Sequence, residues 1–250
     1  MVLPSLSIGA AVGVILSAGY LYVEVGRYAT PQVPVTLFDE RREIFGYTAG
    51  LFVGIPFAVV YILYILAMDN GALPGALLFL AILVGGTELA QWALLRSRYW
   101  GRGASGPFYA LGFRAAIGGI ISLAIVAEYL GGPTLTWYGV VLVLLQSMAL
   151  VALEVTGALF SLPPGGAEGR TGGGPLPAGI FAAVGFFLLG IGPLAGEAGS
   201  FGGAVLALLG ALYLYRRLRL RLALIPAPSA GPKVELPEEP TTYGRLKGGG

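Results

Sequence analysis

Long apolar runs, separated by short breaks rich in charge, Gly or Pro, recur along this chain and leave it few folds to choose from. A run of about 18 or more apolar residues is long enough to cross a bilayer as a helix. In hydrocarbon every backbone amide must find its partner within the protein, and a helix does this within one segment. Charged residues make up only 11% of the 250 positions, where a soluble domain carries about 25%. Mean hydropathy is +0.81. No separate stretch is long and mixed enough for a soluble domain. The expected fold is all-α, a polytopic membrane protein.

Seven spans are predicted, over residues 6–23, 44–68, 72–95, 108–130, 134–160, 177–194 and 201–215. Pro56 falls inside the second and is expected to kink it. Asp69-Asn70-Gly71 and Gly131-Gly132-Pro133 read as tight turns. The Gly- and Pro-rich stretch 161–176 reads as a flexible connection. The sixth and seventh spans are the shortest and least sharply bounded, so one of them could be tilted or re-entrant. Residues 1–222 are read as the transmembrane domain, and 223–250, with five prolines, as a disordered tail. No basic segment precedes the first run, which is expected to be a retained helix.

Charge placement gives the orientation. With the segment after the first span called inside, fourteen of the fifteen Lys and Arg fall on inside segments, and outside segments hold none. Basic residues near span ends stay cytoplasmic. The expectation is N-outside, C-inside, in a plasma membrane. Tyr20, Tyr22, Trp92, Tyr99, Trp100, Tyr213 and Tyr215 cluster at the inner interface, as aromatic belts do.

The fifteenth basic residue, Arg114, lies inside a span. A charge there is costly and needs a partner. The intramembrane polar set is Glu88, Gln91, Arg114, Glu128, Gln146 and Glu154. Counted from the predicted span ends, Glu88, Arg114 and Glu154 sit about 9–11 Å below one interface. Three charges at one depth on three successive helices can meet around one point. Glu88 and Gln91 share a helix face, which Gly85 would extend, and Arg114 and Glu128 point nearly the same way along their span. Three roles are open for Arg114: a structural pair with Glu88 or Glu154, part of an ion or solute path, or a snorkelling cation. One Arg between two ionised carboxylates carries a net −1, so the group can hold a proton or attract a cation. Glu43, near a span end, reads as a solvated interfacial carboxylate.

Gly46, Gly50 and Gly54 form overlapping GxxxG patterns, and Gly9 with Gly13 and Gly199 with Gly203 repeat the spacing. Small residues at this interval let helices approach closely, within the bundle or against a partner subunit or second copy. The Arg/Leu stretch 216–222 is expected to meet anionic lipid head groups of the bilayer rather than nucleic acid.

The chain has no Cys and no His. Disulfides, thiolate nucleophiles and Cys- or His-ligated metals and haem are thereby excluded. The lysines, Lys233 and Lys247, both lie in the tail, so no span offers a Schiff-base amine. The Gly-rich segment 165–174 lacks the Lys-Ser/Thr ending of a phosphate loop. No cofactor and no catalytic residue is expected. Two functions fit: a small-solute or ion transporter or channel using the Glu/Arg cluster, or a non-catalytic scaffold or anchor subunit of a larger membrane complex.

Overall fold

A computed structural model of the chain describes residues 2–25, 40–97, 106–132, 136–160, 175–190 and 192–222. Seven helices account for nearly all of them: α1 Val2–Val25, α2 Glu40–Asp69, α3 Leu73–Arg96, α4 Gly106–Gly131, α5 Trp137–Phe160, α6 Pro175–Gly190 and α7 Gly192–Leu222. The tail 223–250, the connection 161–174 and the loop 26–39 lie outside the described residues.

Six of the helices, all but α6, are long and apolar enough to cross a membrane. Their outward faces carry Ile15, Phe52, Leu89 and Trp137, each more than two-thirds exposed. Apolar surface on that scale belongs against lipid. The molecule is therefore a membrane-spanning helical bundle. Arg41, Arg42, Arg96, Arg216 and Arg217 lie at helix ends on one side of it, here the basic end; Asp69 and Glu197 lie toward the other, the far end. Arginines at the basic end sit over aromatic rings, Arg96 4.7 Å from the centre of Trp92 and Arg217 5.1 Å from that of Tyr213.

The boundary between the last two helices differs from the one read in the sequence. α6 stops at Gly190, four residues early, and α7 starts at Gly192 instead of residue 201. The Gly-rich run between them resembles a loop in composition, yet it stays helical except at Gly196, whose φ of 69° kinks α7. Glycine adopts that angle without the Cβ penalty other residues meet. α6, with 16 residues, is about 24 Å long, short of the roughly 30 Å hydrocarbon core. It packs against both α5 and α2. Phe181 packs on Phe160 of α5, and further along Phe186 C=O accepts a 3.1 Å hydrogen bond from the Tyr64 hydroxyl of α2.

Helix α4 is the axis of the bundle, the most enclosed of the spans, with α1, α2 and α5 packed around it. Glycines set these approaches. Gly9 and Gly13 of α1 press on the α4 backbone at Leu123 and Gly119, and Gly50 of α2 presses on the carbonyl of Phe113. Gly54 rests on Ile117 and Ile120, and Gly118 of α4 on Val151 of α5. Gly46, four residues before Gly50, is also buried. Hydroxyls bridge the contacts: Ser122 donates to Ser147 C=O at 3.2 Å, and Thr156 to Ala211 C=O at 3.2 Å. Ser17 and Tyr47 share a 2.7 Å bond between α1 and α2.

Candidate functional site

Arg114 enters α4 two turns from its basic end, and no part of it reaches the surface. A guanidinium so placed needs opposite charge at hand. Its Nε lies 2.6 Å from Glu154 Oε2 of α5, and its Nη2 3.3 Å from Glu88 Oε1 of α3. One cation thus joins three helices. Both are close charge contacts. The Glu154 carboxylate is fully enclosed, while the Glu88 side chain keeps 12% of its surface open. The guanidinium does not snorkel, since helices α3 and α5 cover it.

Gln91, one turn below Glu88 on the same face, is buried and donates from Nε2 to Ala158 C=O of α5 at 3.2 Å. It ties α3 to α5 just beside the ion pairs. Two glycines make the space. A Cβ at Gly157 would fall 2.8 Å from Arg114 Nη2, and one at Gly118 would fall 3.3 Å from Glu154 Cγ. Gly157 was not singled out by the sequence reading. Its signal is there, three residues after Glu154 and so on the same helix face.

The structure brings Glu88, Gln91, Arg114 and Glu154 together and leaves the rest of the polar set elsewhere. Glu128 is exposed, about 21 Å along α4 from Arg114. Gln146 is half-buried, about 12 Å along α5 from Glu154. Gly85 faces outward with open space beside it, so it does not extend the Glu88 face.

Glu43 differs most from its expected setting. It is buried, not solvated, and neither carboxylate oxygen has a hydrogen-bond partner among the described residues. The carboxylate lies against Gly112 of α4, with Leu21 of α1 beside it. Gly112 and Arg114 are two residues apart and so point to opposite sides of α4. The central helix therefore has the Arg114 ion pairs on one face and the Glu43 carboxylate of α2 against the other, at similar depth.

Fold and site together define an integral membrane helical bundle cross-linked by a buried ion-paired triad. No known protein family, curated protein or solved structure matches the chain.

Proposed function

We propose that the chain is a non-catalytic scaffold or anchor subunit of a plasma-membrane complex, crossing the bilayer seven times with the N-terminus outside and the C-terminus inside. The observation that carries this reading is the sealing of Arg114: it has no exposed surface, and it joins α3, α4 and α5 through two carboxylates. A conducting path must let water or ions reach its charged groups. Here the charges are spent on one another, and the helices around α4 meet backbone to backbone at glycines. The count of seven draws on α6, a 16-residue apolar helix that packs on Phe160 of α5 and on Tyr64 of α2. A short apolar helix can cross where the bilayer thins or its flanks compensate.

Purification of the native chain in mild detergent, with mass-spectrometric identification of what stays bound, tests the reading. A stable complex with other membrane chains, or with further copies of this one, is expected. A transport reading draws on the 12% of Glu88 left open and on the imbalance of two carboxylates to one Arg. It requires an ion or solute flux in reconstituted vesicles that falls sharply in Glu88→Gln and Glu154→Gln. Such a flux, from protein recovered without partners, would displace the scaffold reading.

Orientation has its own test, made clean by the absence of native cysteine. A Cys at Asn70 is expected to react with an impermeant maleimide on intact cells, and one at Ser97 only after permeabilisation. The reverse pattern would invert the topology.

A further inference from the structure

An apolar groove of about 380 Å³ runs along the bundle between α1, α5 and α7. Its walls are almost all carbon, from Ile15 and Gly19 of α1, Val151 of α5, and Leu208 and Leu212 of α7. Tyr20 and Tyr215 meet edge to face beside its basic end, their ring centres 5.3 Å apart. We propose that this groove holds an acyl chain of an anionic phospholipid, with the arginines beyond Tyr215 taking the head group.

Three observations favour that occupant. The first is height. The α1 wall runs from Ile15 to Val23, about 12 Å, which lies within one leaflet of a roughly 30 Å hydrocarbon core. A partner's transmembrane helix would need a seam along the whole bundle, whereas a lipid tail needs only one leaflet. The second is charge. Arg216 and Arg217 are exposed immediately past Tyr215, at the basic end of the groove. Basic residues at the end of an apolar groove between helices are the arrangement that binds acidic head groups. The third is Gly19. A Cβ there would meet nothing within 4 Å, so this glycine serves no helix contact and leaves the groove wall open.

The test is native mass spectrometry of the purified full chain, titrated with phosphatidylglycerol or phosphatidylcholine in detergent. One phosphatidylglycerol per chain is expected, retained about tenfold or more tightly than phosphatidylcholine, since each arginine near the head group adds roughly a factor of five. Gly19→Leu fills the groove and is expected to lose the bound lipid of either kind. Leu208→Phe fills it from α7, and reads the same outcome should Gly19→Leu fold poorly. Arg216→Gln with Arg217→Gln is expected to keep binding but lose the preference for phosphatidylglycerol. Equal retention of the two lipids by the native chain, or full retention in both filled variants, would overturn the proposal. So would a dimer that disappears in Gly19→Leu with no lipid bound, which would give the groove to a second copy.

Discussion

Arg114→Leu is expected to lower the thermal midpoint of the detergent-solubilised protein by on the order of 10 °C, because it strands the fully enclosed Glu154 carboxylate among apolar helices and takes one ion pair from Glu88. Removing one partner of a buried ion pair typically costs about 3–5 kcal/mol, most of it the penalty of leaving the other charge unpaired. In this chain that penalty falls on Glu154, which is fully enclosed, while Glu88 loses one ion pair and keeps 12% of its side chain open. The same physics predicts rescue. Replacing Arg114 and Glu154 together, as Arg114→Leu with Glu154→Leu, removes the stranded carboxylate and should recover most of the midpoint. Glu43→Gln is the control on the other face of α4. Its carboxylate has no hydrogen-bond partner among the described residues, so the neutral isostere is expected to leave the midpoint unchanged or raise it. A midpoint unmoved by Arg114→Leu would show that the triad does not hold the bundle, and the scaffold reading would lose its footing.

The triad was legible because charge inside an apolar run is conspicuous, and because helix rise converts distance from a span end into depth. Glu88, Arg114 and Glu154 come out level by that arithmetic, and the structure places them in contact. Periodicity does less well further along. It gives the angle of Glu128 around α4 relative to Arg114, but not whether a neighbouring helix still covers that angle fourteen residues on, and there it is exposed. Glu43 shows the complementary limit. A carboxylate near a span end looks solvated in sequence, yet α2 begins at Glu40, and α1 and α4 close over the side chain. Gly85 failed for a similar reason: three residues from Glu88, it lies just past the edge of the buried stripe that holds Leu80, Leu83, Thr87 and Gln91. The α6–α7 boundary was blurred by composition, since a Gly-rich apolar stretch can be either loop or helix until its packing is known.

Glycine spacing alone could not separate packing seams from coincidence, and here substitution should separate them sharply. Gly50 and Gly199 both stand in GxxxG patterns. A Cβ at Gly50 would run into the backbone carbonyl of Phe113 and lie 2.8 Å from Ala116 Cβ, whereas one at Gly199 would meet only Ala195 of its own helix. Backbone cannot swing aside as a side chain can, so Gly50→Ala must push α2 off α4. Overpacking of this kind typically costs about 1–3 kcal/mol, and Gly50→Leu should cost more. Gly13→Ala is expected to do the same to α1, because its Cβ would strike the Gly119 carbonyl. At Gly210, where a Cβ would meet nothing within 4 Å, alanine should be neutral or gain up to about 1 kcal/mol from its better helix propensity. Thermal midpoints of the four alanine variants, at positions 13, 50, 199 and 210, give the comparison. The expected pattern is two large losses at 13 and 50, little change at 210, and at 199 at most a local loss inside α7. Equal effects at 50 and 210 would mean that α2 does not meet α4 through this glycine face. The central position of α4, on which the burial of Arg114 depends, would then have to be redrawn.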